Sequence, residues 1–358
     1  MIEFIRTENL KSGDILAKTL YDETCRILMK AGGKLSDTSI RVIKQKGYKG
    51  IYIENNDGIR RESVPIPEPL IEELTQLQLM NLLKNIYQNK NIQKDYFDKT
   101  FMADKKKLHI FLEDIVDELV KANREGRLLF ELEDARNMDT WIFYHLMKVC
   151  FLSIGIAIKM GYSKPEIMEI ALGAIYHDMG KAWVPDAIIN KKGLSEKEKE
   201  LVRQHPEKMF RFLQKHNYSV TTTYAVWQHH EKISGTGYPL KLKCGKIIKS
   251  ARIVSCANAY DNAVNMNPYE GIAIYQSDAV EYLSASEELD VECLRALLQI
   301  VVPYPVGCKV KLSNGAEGIV VKNVASFPLR PVLIVGKSLV YLEKDPNYLN
   351  ITITGVIK

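Results

Sequence analysis

The sequence predicts a mainly α protein with a small α/β unit at its N-terminus and a small β appendage at its C-terminus. Three observations predict it. Apolar residues in the middle third recur at helical spacing, and after about residue 300 they alternate instead. A proline run, Val64-Pro65-Ile66-Pro67-Glu68-Pro69, sets the first sixty residues apart from the rest. With 358 residues and 46% hydrophobic content, the chain can hold two or three domains and at least one sizeable core.

Taken in order, residues 1–62 form the expected α/β module. Ile15 to Tyr21 and Ile27 to Lys30 are strand candidates, and Gly32-Gly33 punctuates them. Ser36 caps a helix running from Asp37 toward Lys46, Gly47 ends it, and Ile51-Tyr52-Ile53 makes another strand. Residues 63–128 read as a linker and helical connection, helical from Leu70 onward. The polar stretch from Lys84 to Lys107 has weak periodicity and is expected to include a mobile connection.

The main helical domain is expected over 129–300. Ile142, Leu146, Val149, Leu152 and Ile156 share a helical stripe with His145. A second helix starts near Pro165, turns Ile167, Ile170, Ala171, Ala174 and Ile175 inward, and delivers His177 and Asp178 at its last turn, before Gly180. Ser195 and Glu198 have capping-box spacing and start a helix expected to reach His205. In the β appendage, 301–358, Val310-Lys311-Leu312 and Ile319-Val320-Val321 flank the hairpin signal Asn314-Gly315. Leu333 to Val335 and Ile351 to Val356 suggest further strands.

Composition sets milder bounds. A net charge of +5, evenly spread, argues against a nucleic-acid polymer as partner. No apolar run approaches the roughly 20 residues that cross a bilayer, and Val149 to Ile158 fits a buried helix better, so membrane insertion is not expected. Met-Ile-Glu-Phe-Ile-Arg lacks the layout of a signal peptide, which points to the cytoplasm. The six cysteines are scattered without Cys-x-x-Cys spacing and read as reduced thiols.

Chemistry concentrates in the histidines. Five of seven fall in one ordered series: His145, His177-Asp178, His205-Pro206 and His229-His230-Glu231, with Gly237-Tyr238-Pro239 behind. A single imidazole among apolar residues is usually a satisfied core group, and His109 and His216 belong to no pattern. The series as a whole points to a metal cluster, because neutral imidazole and carboxylate bind first-row divalent metals and one carboxylate can bridge two ions.

Over about residues 130–300 these motifs resemble the HD-GYP family, a branch of the HD superfamily of metal-dependent phosphohydrolases. The residues that carry the resemblance are His-Asp-Met-Gly-Lys at 177–181, His-Pro at 205–206, His-His-Glu-Lys-Ile-Ser-Gly-Thr-Gly-Tyr-Pro at 229–239, and Ala251-Arg252-Ile253. The resemblance implies a helical HD-type domain with two divalent metal ions, iron or manganese, that hydrolyses cyclic di-GMP or a related cyclic dinucleotide. Asp178 would bridge the ions. His145 and His177, with Asn258, would sit on the first, and His205, His229 and His230 on the second. Asp178 and Lys181 would serve catalysis, with Lys181 toward the substrate phosphate and Gly237, Tyr238 and Pro239 beside the nucleotide.

Several positions depart from the family pattern. Asn258 stands where a metal-binding aspartate is usual, so the first site is expected to be weak. Trp141 occupies the place of a third-metal glutamate, Ser234 replaces an aspartate, Met209 replaces a glycine, and Asn267 and Glu270 replace arginines. These substitutions keep two other readings open: an impaired nucleotide- or partner-binding signalling module, and an HD-type hydrolase of another phosphorylated nucleotide. A second copy of the chain or a signalling protein remains an open partner.

Overall fold

The computed structural model describes residues 2–22, 26–46, 48, 50–54, 70, 71, 73–88, 94–130, 141–189, 191, 193–265 and 274–357. The proline run, and Cys25 with it, lies outside them. The chain divides into two compact units. One comprises Met1–Asn81, Arg136–Trp141 and Tyr304–Lys358, and the other Leu82–Ala135 and Ile142–Pro303.

In the first unit the N-terminal residues give β1 (Ile2–Arg6), β2 (Ile15–Leu16), β3 (Leu20–Tyr21), β4 (Ile27–Met29), α1 (Asp37–Gln45) and β5 (Gly50–Glu54). β1, β5 and β2 form an antiparallel sheet in that order, and β3 pairs with β4. The expected strand from Ile15 to Tyr21 is thus two short strands in different sheets, split by a bend at Ala17-Lys18. β1 was not anticipated; it gains its ladder from β5, far away in sequence. Ser36 caps α1, its Oγ accepting from the Ser39 N–H at 3.1 Å. Ile40 and Ile43 of α1 pack with Leu16, Leu35, Ile51 and Ile53.

The C-terminal residues form β6 (Lys309–Leu312), β7 (Glu317–Lys322), β8 (Val332–Val335), β9 (Ser338–Tyr341) and β10 (Ile353–Val356). They make one antiparallel sheet in the order β10-β6-β7-β8-β9. Val310 and Leu312 are buried while Lys309 and Lys311 are exposed, the alternation that the pleat requires. Gly315, at φ +85°, takes the left-handed position in the β6–β7 turn.

The second unit is helical: α2 (Glu73–Gln88, which begins in the first unit), α3 (Lys94–Arg124), α4 (Trp141–Lys159), α5 (Lys164–Tyr176), a 3₁₀ turn (Met179–Trp183), α6 (Asp186–Ile189), α7 (Glu196–Arg203), α8 (His205–Lys215), α9 (Val220–Gln228), α10 (Lys249–Val264), α11 (Gln276–Ser284) and α12 (Val291–Leu298). The weakly periodic stretch from Lys84 is helical on both sides of residues 89–93. Leu108, Leu112, Ile115, Leu119 and Ala122 give α3 a buried stripe that its many lysines obscure. α4 reaches 19 residues with a mean hydropathy of 1.7, so by length and composition it could span a bilayer, contrary to the sequence expectation. It is 83% buried inside the protein, as a core helix is. The described cysteines Cys150, Cys244, Cys256, Cys293 and Cys308 form no disulfide with one another.

Two local features set the positions of the helices that matter most. α5 and α9 meet at Gly173, where an added Cβ would come within 2.6 Å of the Ala225 Cβ. α12 is tied to α10 through Asp290, which accepts from the Glu292 and Cys293 N–H groups at 3.0 and 3.1 Å and from the Arg252 guanidinium at 3.0 Å. Burial opposes its charge, but the Arg252 and Cys293 donors outweigh that and hold its carboxyl down to about 2. Asp290→Ala should lower stability by about 2 kcal/mol in urea titrations at neutral pH. Because the folded pKa is depressed, this contribution is present above 3.8, the ordinary value, and is lost as pH falls toward about 2. The gap between wild type and variant should close over that window.

Candidate metal centre

Three of the five histidines owe their orientation to the same local rule. The last carbonyls of an α-helix have no intrahelical partner. His177 follows α5, His205 follows α7 by two residues and His229 follows α9; each places Nδ1 2.7 Å from the carbonyl three residues earlier, of Ala174, Val202 and Val226. A carbonyl only accepts, so each Nδ1 carries the proton and each Nε2 presents its lone pair. The expected helix into His205 is in fact two helices. Pro206 has no N–H to continue α7 and fits the first turn of a new one.

His145 sits on α4, where every carbonyl nearby is already used, and is oriented instead by Asp261 of α10. Its Nδ1 donates to Asp261 Oδ2 at 2.7 Å. Asp261 Oδ1 is held by the Asn265 amide at 2.7 Å.

All four Nε2 atoms face Asp178, one pair on each oxygen. His145 and His177 lie 3.4 and 3.6 Å from Oδ2, while His205 and His229 lie 2.9 and 3.7 Å from Oδ1. The ligand atoms of Asp178, His205, His229 and His230 lie within 4.8 Å of one another, as do those of His145, His177 and Asp178. His145 and His177 bring Nε2 atoms to 3.2 Å, and His205 and His229 to 3.4 Å. Where Nδ1 alone carries the proton, these are lone pairs facing lone pairs, which a shared cation relieves. Asp178 Oδ1 and His230 Nε2 are buried with no hydrogen-bond partner among the described residues. These donors fit divalent metal.

The electrostatics agree. Burial pushes His177 and His230 well below the ordinary imidazole range and lowers His205 to about 4, so all three are neutral at pH 7. Burial also opposes protonation of His145, but Asp178 and Asp261 outweigh it and its pKa is raised. For Asp178, burial is outweighed by the Lys181 ammonium and by His177 and His205, which hold the carboxyl well below the usual range. Lys181 is itself buried and donates to Asp178 Oδ2.

The loop carrying Gly237, Tyr238 and Pro239 packs beside His230. An added Cβ at Gly237 would lie 2.5 Å from the His230 carbonyl oxygen and the Lys232 nitrogen, so only glycine allows this approach. The Tyr238 ring stacks on His230, centroids 4.5 Å apart at 20°, and the Tyr238–Pro239 bond is cis. Buried Glu231 clamps the loop, accepting from the Leu240 and Leu242 N–H groups at 2.5 and 2.8 Å. Asn258 lies on α10, buried, its Oδ1 accepting from the Asn262 amide at 2.9 Å. Met209 is a core residue of α8, and Ser234 pairs with Thr236. Asn267 and Glu270 lie outside the described residues.

Two structural roles were not read from the sequence. Glu231 carries no signal beyond its place after two histidines. Gly180 lets the 3₁₀ turn meet the start of α8, because a Cβ there would collide with the His205 carbonyl. Asp261 was noticed, but only as a neighbour of Asn258.

Residues 135–291 match the HD domain family. This segment resembles an HD domain. Over 222 residues the chain is 32% identical to a cyclic di-GMP phosphodiesterase of Pseudomonas aeruginosa, covering 61% of this chain and 53% of that protein. Over 214 residues it is 33% identical to a cyclic di-GMP phosphodiesterase of Thermotoga maritima, covering 57% and 56%. The chain thus spans about half the length of the curated relatives it matches. Among solved structures, an HDG"Y"P protein from Bdellovibrio bacteriovorus superposes with a TM-score of 0.50 at 18% identity, over 83% of this chain and 98% of that one, a likeness of fold. The match agrees with the helical HD-type domain expected from the motifs, in which helices and the turns that follow them carry the histidines and the aspartate.

Asp261→Ala should weaken metal binding by about 10- to 100-fold while the protein stays folded, read as metal affinity in a chelator competition. Protons should also act on chelator-treated protein. His205 titrates at about 4 when folded against 6.5 ordinarily, so between these values the unfolded chain binds more protons. The Tm should fall as pH is lowered through that window, with His177 and His230 adding in the same sense. His145, raised, contributes the opposite sign: its stabilisation is full below 6.5 and fades as pH rises through its folded value. A Tm that climbs on acidification contradicts the assignment of neutral imidazoles.

Proposed function

We propose that this protein is a metal-dependent phosphodiesterase that hydrolyses cyclic di-GMP or a related cyclic dinucleotide at a centre for two divalent ions. The observation that carries the reading is the division of Asp178: one oxygen faces His145 and His177, the other His205 and His229. The relatives named as cyclic di-GMP phosphodiesterases support the substrate class.

Asp178, His145 and His177 would hold one ion, and Asp178, His205, His229 and His230 the other. Iron suits the imidazoles of this donor set, and the shared carboxylate suits iron or manganese. Two ions there supply positive charge against the phosphoryl oxygens and lower the pKa of water for in-line attack on phosphorus. The chain's own residues do the rest. The Nδ1–H bonds and Asp261 keep the imidazoles from turning, and burial keeps His177, His205 and His230 neutral. Lys181 reinforces the ionised state of Asp178. Tyr238, fixed by its stack on His230 and by the Glu231 clamp, offers an aromatic edge beside the centre for a nucleotide. Asn258 brings an amide where a carboxylate would add negative charge, which lowers affinity at the first site and slows turnover.

The test is turnover. Protein loaded anaerobically with iron or manganese should convert cyclic di-GMP to linear dinucleotide and GMP, followed by chromatography, and His177→Ala should reduce the rate about 100-fold or more. No product from any cyclic dinucleotide with any of several metals, or product formation that survives His177→Ala, would overturn the reading. Asn258→Asp should raise both metal content per chain and rate. If neither changes, Asn258 does not limit the first site.

A further inference from the structure

Arg203 ends α7, two residues before His205. A basic residue at a helix C-terminus is favourable through the helix dipole alone, but that does not account for where the side chain goes. Its guanidinium carbon lies over the Tyr238 ring, 5.8 Å from the centroid. Tyr238 in turn stacks on His230, whose Nε2 belongs to the metal-ligand group. Arg203, Tyr238 and His230 thus form a column from the surface to the centre. The arginine side chain is 49% exposed, and its acidic contact is a long one, 3.9 Å to Glu200, itself 67% exposed. Such a pair is weak in water. The ammonium of Lys181, by contrast, is turned to Asp178.

We propose that Arg203 is a binding residue for the nucleotide, donating its in-plane N–H groups to a phosphodiester oxygen while its face rests on Tyr238. A planar fork of donors matches two phosphate oxygens, and the aromatic ring restrains it with little further loss of freedom when the anion arrives. The Glu200 contact is exchanged for the phosphate. This assignment rests on the proposed phosphodiesterase reading, and it adds the cation that recognises the substrate's charge from outside the metal-ligand groups.

Calorimetric titration of the metal-loaded full chain with cyclic di-GMP tests it, with turnover followed in parallel. Arg203→Ala should weaken binding about tenfold. Arg203→Lys should fall between, because it keeps the charge and loses the fork. Metal count and Tm should stay at wild-type values, which a merely structural role for Arg203 would not predict. If Arg203→Ala binds within twofold of wild type, the assignment is wrong even where turnover upholds the phosphodiesterase. If wild type binds without turnover, the enzymatic reading fails and the Arg203→Ala comparison still decides this one. If wild type does not bind the nucleotide, both fall.

Discussion

A carbonyl in the last turn of a helix, beyond reach of the regular i+4 donor, is the constraint on which this centre is built. Such groups are costly to bury unpaired. Here three of them are paired with imidazole N–H groups, of His177, His205 and His229, and the same bond settles which nitrogen is left to bind. The helices therefore do two things with one interaction: they complete their own hydrogen bonding and they aim a lone pair at Asp178. His145 lies within a helix, where no carbonyl is free. It takes the more expensive solution of a buried carboxylate, Asp261, which needs Asn265 behind it. Close packing then brings the ends together. Gly173 lets α5 meet α9, and Gly180 lets the turn after Asp178 meet His205.

The loop beside the centre follows the same economy of parts. Gly237 admits close backbone contact with residues 230–232, Glu231 accepts two amides from beyond Pro239, and Tyr238 lies flat on His230. The Tyr238 ring is thereby held by the same chain segment that carries His229 and His230, so their relative positions do not depend on a distant element.

Much of this was legible in the sequence because the chemistry is local. Histidine beside aspartate, histidine before proline and a histidine pair before Gly-x-Gly-Tyr-Pro are short signals, and the helical stripe through His145 placed that residue inward. The missed features are those that depend on three-dimensional neighbours. β1 exists because β5 returns to pair with it, and Asp261 gains its role from a helix 116 positions earlier in the chain. The buried stripe of α3 is hidden by lysines on its other faces. Between Lys84 and Lys107 the apolar periodicity is weak, yet the described residues 84–88 and 94–107 are helical, because charged side chains tolerate helix well while diluting its apolar period. At His205 the sequence misleads in another way: a good capping box at Ser195 predicts one helix reaching His205, whereas that helix ends at Arg203 and His205, ahead of Pro206, opens a second.

Asp178 has one further consequence. Because a single carboxylate serves both ligand groups, with one oxygen each, they share a reservoir of negative charge. A cation drawn to His145 and His177 changes the pull that the same anion exerts toward His205 and His229. By reciprocity, an ion on the second side would alter affinity at the first by an equal factor. Loading of the proposed pair would then be a linked equilibrium, and the response to scarce metal would be set by that coupling as much as by either affinity.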